Sequence, residues 1–496
     1  MKKHYGNDSI TMLKGPDKVR KRPGVIFGSD GADGCAHSIF EVISNSIDEA
    51  RAGYGNKITV TRHNDRSVTV EDFGRGCPVD YNSVEQRYNW ELVYCELYAG
   101  GKYDADTPYE YALGLNGLGL CATQFASAYM DVEVVRDGFK YNIHFEKGEN
   151  VGGLKKEPAD TRRGGLKTGT KTHWLPDLDV FTDIDVPDEF FESSLKRQAV
   201  VNPNLLFVYR SQNPDGTYTE KEFLYAGGIT DYVKELAPEE TALTGVRFCQ
   251  CERSGKDRED KPEYKVKLSA AFAFSNIDKA LEYYHNSSFL EHGGSPEKAV
   301  KQAFVSQIDA YLKQNGKYLK NESKITFNDI QDCLVLVSSS FSTVTSYENQ
   351  TKKAINNKFI YEAMTEFLKH ELEIYMLETP DDAAKIAEQI LINKRSRESS
   401  ERTRLNLKKK LAGNVDVTNM VQKFVDCRTK DIGRRELYIV EGDSALGAVK
   451  LARNAEFQAV IPVRGKILNC LKADYSKIFK SDIIMDIIKV LGCGVS

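Results

Sequence analysis

The chain has 496 residues, room for about three or four domains, with a net charge of −4 and 28% charged residues. That balance is ordinary for a soluble globular protein and announces no polybasic nucleic-acid binder, so any basic surface has to be local. The apolar runs are too short for a membrane-spanning helix, no signal-peptide core opens the chain, and the ten scattered cysteines read as reduced thiols of a cytoplasmic protein.

Tyr5 and a basic segment, Lys18-Val19-Arg20-Lys21-Arg22-Pro23-Gly24, open the sequence, and the Pro-Gly pair marks a turn. In the next stretch Phe40, Ile43 and Ile47 recur at helical spacing, while Glu41, Asn45 and Asp48 share one polar stripe of that helix. A carboxylate and an amide one turn apart can act on one ligand: the carboxylate takes a proton from water and the amide oxygen ligates a hard cation. Alone, such a stripe is usually solvated surface. Lys57–Arg62 alternates as a strand, residues 64–67 read as a turn, and the return strand runs into Asp72-Phe73-Gly74-Arg75-Gly76. Its glycines let backbone approach a ligand, and Asp72 at the strand end suits the amino group of a base.

Gly100-Gly101-Lys102 could place a lysine on a mobile lid. Leu113-Gly114-Leu115-Asn116-Gly117-Leu118-Gly119-Leu120 then precedes a run, residues 121–128, that reads as a helix. A glycine-rich loop opening a helix offers unpaired N–H groups and the positive end of the helix dipole to phosphate. The glycine spacing is reversed from the dinucleotide fingerprint, and no Walker loop is present. Strand patterns follow at residues 131–136 and 140–146, and Lys167-Thr168-Gly169-Thr170-Lys171 leads into another.

Composition shifts near residue 223, and a second region of strands and helices extends to about residue 392. Within it Ser346-Tyr347-Glu348-Asn349-Gln350-Thr351-Lys352 is a polar segment that by itself reads as a surface loop. Lys394, Arg395, Arg397, Arg402, Arg404, Lys408, Lys409 and Lys410 cluster next, as a solvated helix face or a track for DNA phosphates. In the last region residues 437–440 read as a short buried strand delivering Glu441-Gly442-Asp443-Ser444-Ala445 at its C-terminal end, where α/β folds place ligand sites.

Taken together, Glu41-x3-Asn45, Asp72-x-Gly74-x-Gly76, the Gly114 to Gly119 loop and Gly169-Thr170 resemble the ATP site of the GHKL ATPases. Ala99-Gly100-Gly101-Lys102, Gln350-Thr351-Lys352, Glu441-Gly442-Asp443-Ser444-Ala445 and Pro462-Val463-Arg464-Gly465-Lys466-Ile467-Leu468-Asn469 narrow the resemblance to the ATPase, or B-type, subunit of bacterial type IIA topoisomerases, gyrase and topoisomerase IV. It covers essentially the whole chain. The resemblance implies a multidomain α/β (α+β) protein. A GHKL α/β-sandwich ATPase domain would span 1–222 and a transducer of the ribosomal S5 domain 2-like type 223–392. A basic helical linker would span 393–432, and the N-terminal part of a Toprim α/β domain 433–496.

By the same resemblance Glu41 would be the general base and Asn45 would bind the Mg²⁺ of Mg-ATP. Asp72 would read adenine, with Gly76 and Thr170 on the adenine side. Gly114, Leu115, Asn116, Gly117, Leu118, Gly119 and Leu120 would wrap the phosphates. Lys102, Tyr109 and Tyr5, the last from a neighbouring protomer, would also contact nucleotide, and Gln350 and Lys352 would reach the γ-phosphate. Glu441 would ligate a Toprim Mg²⁺, and Lys466 and Asn469 would touch double-stranded DNA. The partners implied are a gyrase A or topoisomerase IV A-type subunit carrying the cleavage tyrosine, an ATP-dependent homodimer of this chain within an A2B2 holoenzyme, and no membrane. A second reading is a GHKL clamp of a mobile element or defence system that never cleaves DNA.

Some positions depart from the family pattern. Asn116 and Tyr98 stand where histidines are usual, Gln124 replaces an asparagine, and Phe73 stands where an acid or a neutral residue is common. None touches Glu41 or Asn45, so activity is expected to survive them. The sequence stops at Ser496 before the Asp-x-Asp motif that completes the family's cleavage metal site, which leaves Glu441 as the one ligand expected here.

Overall fold

The computed structural model describes residues 12–99, 117–160, 165, 167–348, 352–413, 421, 423–465, 468–473, 475–478 and 480–491. They divide into two compact units, Met1–Leu391 and Ile392–Ser496.

In the first unit the apolar period of the N-terminal stretch produces helix α1 (Ala32–Arg51), which buries Cys35, Ile39, Val42, Ile43 and Ile47. Asp33 in its first turn and Arg51 in its last sit at the favourable ends of the helix dipole. The hairpin β1 (Lys57–Arg62) and β2 (Val68–Asp72) forms where alternation predicts it. Helix α2 is Gly119–Phe125, and β3 (Ser127–Arg136), β4 (Phe139–Glu146), β5 (Glu149–Pro158) and β6 (Gly169–Pro176) follow. α3 (Asp188–Val201), β7 (Leu206–Gln212) and β8 (Tyr218–Phe223) complete the layer. The helix expected over 121–128 is thus shorter and starts earlier. Ser127 already pairs with Pro176 of β6, and Asp177 N–H donates to the Ala126 carbonyl, so the sheet claims the chain there.

The eight strands lie in the order β8-β7-β1-β2-β6-β3-β4-β5, and only β1 and β7 run parallel. Helix residues Ile39, Ile43, Phe125 and Leu195 share one core with strand residues Val60, Val70, Val132 and Trp174. β4 shows the logic: Tyr141, Ile143 and Phe145 alternate into that core while their neighbours stay outside it.

A second sheet follows α4 (Ile229–Leu236). Its strands are β9 (Arg247–Gly255), β10 (Tyr264–Phe274), β11 (Ala280–His285), β12 (Ser288–Phe289) and, after α5 (Ser295–Gln314), β13 (Leu334–Ser342). The order is β9-β10-β13-β11-β12, so β13 is central and must be apolar on both faces. Its two-residue period puts Leu334 and Leu336 against α5 and α6 (Lys358–Glu378). Val335 and Val337 point to the other side, where they meet Val200 and Val201 of α3 and Ile229 and Val233 of α4. That cluster seats the second sheet on the first layer. Helix α7 (Pro380–Gly413) comes next.

Along α7 the basic residues do not all form a solvated face, because Lys394 has no exposed surface and pairs with Glu398 at 3.2 Å. The second unit holds β14 (Glu436–Glu441), α8 (Gly442–Ala452), β15 (Gln458–Val463) and α9 (Asp482–Leu491), with β14 and β15 parallel. β14 forms as read from the sequence but is not buried: Tyr438 is 42% and Ile439 54% exposed. A two-stranded sheet has too little surface to cover its faces, and α8 contributes no buried residue. Among the described residues no helix is long and apolar enough to cross a membrane, and every described cysteine is a free thiol.

Candidate active site

Glu41 lies in the middle of α1 and is 6% exposed. Lys352 Nζ approaches its Oε1 at 3.3 Å, and His37 Nε2, one turn earlier on the helix, approaches the same oxygen at 3.5 Å. Burial, the largest single influence, would raise the Glu41 carboxyl; the charge and hydrogen bond of Lys352, with His37, together hold the group below the usual carboxylate range. Burial also lowers His37, so at neutral pH the ring beside Glu41 is uncharged. Burial opposes the charge of Lys352, but Glu41 and then Tyr347 reverse that and raise it. The pair is therefore a carboxylate and an ammonium, enclosed together. Lys352 has φ 58, a conformation that costs a non-glycine residue on the order of 1–3 kcal/mol and persists only when its surroundings impose it.

The first turn of α2 closes over this pair. A Cβ on Gly119 would overlap Glu41 Oε2 and lie 2.7 Å from its Cδ. Only the missing side chain lets the carboxylate keep its place. The same Cβ would lie 2.8 Å from Glu41 Cβ, which no side-chain rotation can move, so Gly119→Ala is expected to displace the first turn of α2 as well as the carboxylate and to lower any hydrolysis that depends on Glu41 by about 10²-fold. Steady-state turnover beside a thermal melt checks this: an unchanged rate would mean that the position of Glu41 is unimportant.

On the same helix Asn45 Nδ2 donates to the Glu41 carbonyl at 3.0 Å. That commits the amide nitrogen to the helix and makes the amide oxygen the end suited to a hard cation such as Mg²⁺. Asp72, 8% exposed at the end of β2, accepts from Ser46 Oγ at 2.9 Å, Gly74 N–H at 3.0 Å and Thr170 N–H at 3.3 Å. Burial pushes its carboxyl up by more than those bonds pull it down. Thr170 Oγ1 in turn accepts from Cys77 N–H at 2.9 Å, and Gly76, at φ 82, gives its carbonyl to Arg136 Nη1 at 2.7 Å. Beside them Arg75 binds Glu49 through Nε at 2.8 Å and Nη2 at 3.0 Å and lies 3.7 Å from the centre of the Tyr54 ring.

The structure thus gathers Glu41, Asn45, Asp72, Gly76, Gly119, Thr170 and Lys352 around α1, with Gly117, Leu118 and Leu120 at the start of α2. Tyr5, Lys102, Tyr109, Gly114, Leu115, Asn116, Gln350 and Lys466 lie outside the described residues. His37, Ser46, Glu49, Arg75 and Arg136 also surround the site; Arg75 falls at a variable position of Asp72-x-Gly74-x-Gly76, and His37 carries a signal, four residues before Glu41.

In the second unit Glu441 ends β14 and is exposed. Asp443 is taken by Lys423 Nζ, at 2.8 and 3.0 Å, and by Arg464. Asn469 Oδ1 accepts from Leu471 N–H at 3.1 Å, which orders the residue within a local turn. No three His, Cys, Asp or Glu side chains gather as a metal site among the described residues, so Glu441 stands as a single candidate ligand.

Residues 228–406 match the DNA gyrase B family and residues 436–495 the Toprim domain. The chain is 34% identical over 492 residues to the DNA gyrase B subunit of Thermotoga maritima, covering 99% of this chain and 75% of that protein. It is 32% identical over 498 residues to the DNA gyrase B subunit of Mycoplasmoides gallisepticum, covering 100% and 76%. Its fold is similar to the 43K ATPase domain of Thermus thermophilus gyrase B, solved with an aminocoumarin, at TM-score 0.59 and 26% identity over 78% of this chain and 97% of that one. The ATP-binding domain of Francisella tularensis topoisomerase IV, solved with a small-molecule inhibitor, gives TM-score 0.58 and 27% identity over 78% and 98%.

Proposed function

The chain belongs to the DNA gyrase B family, and from that premise we propose that it is the ATP-hydrolysing B-type partner in a type IIA topoisomerase, an ATP-gated dimeric clamp that drives DNA strand passage with an A subunit in an A2B2 assembly. The observation that carries this reading is the buried contact between Glu41 on α1 and Lys352, which follows β13 in the second sheet. It joins the two sheet layers of the first unit at a point where a terminal phosphate would be read. We assign 1–222 to the ATPase part, 223–392 to the transducer, 393–432 to the linker and 433–496 to the Toprim part, and we place the protein in the cytoplasm. No observation favours a clamp that leaves DNA uncut.

Hydrolysis of a phosphoanhydride by water needs an aligned nucleophile and neutralised charge more than covalent help. In our reading Glu41, freed from Lys352, accepts the proton of the attacking water, with His37 holding its carboxylate in place. Lys352 transfers its charge from Glu41 to the γ-phosphate, and the N–H groups leading into α2 receive the phosphate oxygens. Asn45 would hold Mg²⁺, which would supply further charge neutralisation. Asp72, already ordered by Ser46, Gly74 and Thr170, offers its carboxylate to the adenine amino group. Tyr5, Lys102, Tyr109 and Gln350 keep nucleotide-binding roles in this assignment. Glu441 is assigned to the cleavage metal, and Lys466 and Asn469 to DNA.

Asp72→Asn tests the adenine side. An amide in place of the carboxylate turns an N–H group toward donors and leaves polar groups unpaired, at about 1–3 kcal/mol, or roughly a 5- to 150-fold loss of ATP affinity. Calorimetry with ATP and GTP reads it; equal affinities before and after the change would reduce Asp72 to a turn residue. The clamp itself is tested by sedimentation. A non-hydrolysable ATP analogue is expected to shift the protein to a dimer and ADP is not, because only a ligand with differential affinity for the closed form moves that equilibrium. One mass in both conditions contradicts the proposal.

A further inference from the structure

β11 and β12 are joined by a two-residue turn, Asn286-Ser287, with φ 45 and 62 and the flanking pair His285 and Ser288 in register. Two successive positive φ values define the tight hairpin turn that suits strand twist. Such turns normally sit in water. This one is buried, Asn286 at 1% and Ser287 at 0% exposure, so its polar groups must all find partners inside the protein.

Those partners lie on two different bodies. On one side Gln198 Nε2 donates to the Ser287 carbonyl at 2.9 Å, and Ser287 Oγ donates to Asn202 Oδ1 at 3.3 Å. Gln198 and Asn202 end helix α3 of the first layer, and Asn202 Nδ2 is itself fixed on the Gln198 carbonyl at 2.8 Å. On the other side Asn286 grips the exit of β13: its Oδ1 accepts from Ser342 N–H at 2.9 Å and its Nδ2 donates to the Ser342 carbonyl at 3.0 Å and to Thr345 Oγ1 at 3.2 Å. His285 completes the grip, meeting Ser340 Oγ at 2.8 Å and Thr345 Oγ1 at 2.9 Å. Burial, with a smaller push from Arg51, lowers this ring to about 3, so it stays neutral and keeps one donor and one acceptor for those hydroxyls.

Thr345 is the root of the segment that carries Lys352. Immediately after it the two legs of that segment pair: Ser346 N–H to Asn357 Oδ1 at 2.8 Å, Asn356 N–H to the Ser346 carbonyl at 3.1 Å, and Glu348 N–H to the Ala354 carbonyl at 3.0 Å. The returning leg is held by His292 N–H on the Lys353 carbonyl at 3.0 Å and by Lys353 on Glu291 at 2.5 Å. Asn286 thus holds the base of this segment directly, and it is the chain neighbour of Ser287, which is bonded to α3.

We propose that Asn286 is a positioning residue for ATP hydrolysis: through the buried turn it ties the root of the Lys352 segment to helix α3, so that Lys352 arrives beside Glu41 only when the second sheet is seated on the first layer. Asn286 touches neither Glu41 nor Lys352. It acts by fixing where the ammonium stands, and a displacement of about 1 Å at a reacting centre can cost about 10²-fold in rate. The inference rests on the proposed hydrolytic role of Lys352.

The test is a double-mutant cycle in the whole protein. Asn286→Gly keeps the positive φ and removes the amide bonds. Thr345→Val is the second variant, an isosteric loss of the hydroxyl that receives both Asn286 and His285. Each is expected to lower kcat for ATP about tenfold or more while ADP affinity, which reports a folded site, stays within about twofold. In a Lys352→Ala background neither is expected to lower kcat further, because the group they position is gone. Normal turnover in both single variants overturns the proposal, and so does an equal loss with and without Lys352, the mark of a merely structural turn. If Lys352→Ala itself leaves turnover intact, the reading of Lys352 fails and takes the inference with it; an impaired Lys352→Ala beside unimpaired Asn286→Gly and Thr345→Val sinks the inference alone.

Discussion

Replacing Glu41 by glutamine is expected to lower ATP turnover by about 10²–10⁴ while nucleotide still binds. Glutamine matches the shape of glutamate, so α2 can still close over it through Gly119. What it lacks is basicity. It also lacks the charge that holds Lys352 at 3.3 Å, so the ammonium is freer to meet a phosphate ligand. Affinity for a non-hydrolysable ATP analogue is therefore expected to be unchanged or higher in Glu41→Gln. Single-turnover hydrolysis and analogue titration measure the two effects side by side. Near-normal turnover would remove Glu41 from the reaction, and loss of both turnover and binding would make it a structural residue.

Lys352→Ala is expected to separate hydrolysis from binding in a different way. Turnover is expected to fall roughly 10²–10³-fold, because a charge aimed at the developing transition state is lost. Affinity for ADP, whose terminal phosphate is the β, is expected to hold, because Asp72 and the entry to α2 are untouched. The same change also acts on stability. It leaves the Glu41 carboxylate enclosed without its cation, and breaking a buried pair from one side typically costs about 3–5 kcal/mol. Glu41→Gln with Lys352→Met removes both charges, so that double variant is expected to melt higher than Lys352→Met alone. Matching melting points would show that the pair contributes nothing to the fold, and equal weakening of ADP and ATP-analogue binding would show that Lys352 does not read the γ-phosphate.

The parts of the site that depend on local spacing are legible in the sequence. Glu41 and Asn45 share a helix because Phe40, Ile43 and Ile47 set its period, and Asp72 ends a strand because Asp-x-Gly-x-Gly stops the alternation that makes β2. His37 obeys the same four-residue rule, but nothing in its own neighbourhood distinguishes it from an ordinary helix residue. Lys352 cannot be recognised from its surroundings in the chain, since a polar segment after a strand is ordinarily exposed. Its burial is created by a residue 311 positions away, and only the resemblance to a family draws attention to it. The Asn286-Ser287 turn is hidden for the same reason, because Asn-Ser beside a strand reads as solvent-facing until α3 is laid over it. Where the sequence misleads, pairing decides: residues 127 and 128 join β3 because β6 offers that strand a partner, and Lys394 is enclosed although its neighbours on α7 are charged.

Under the proposed function, ATP bound at Glu41 and Lys352 drives the passage of one DNA duplex through another. The linking number of closed circular DNA incubated with the full-length protein and its A subunit measures this. A change in linking number is expected that requires ATP, does not occur with ADP, and disappears when Glu41→Gln replaces the wild-type chain. A change that proceeds equally without ATP, or brisk ATP hydrolysis by the assembled proteins with no change in linking number, would contradict it.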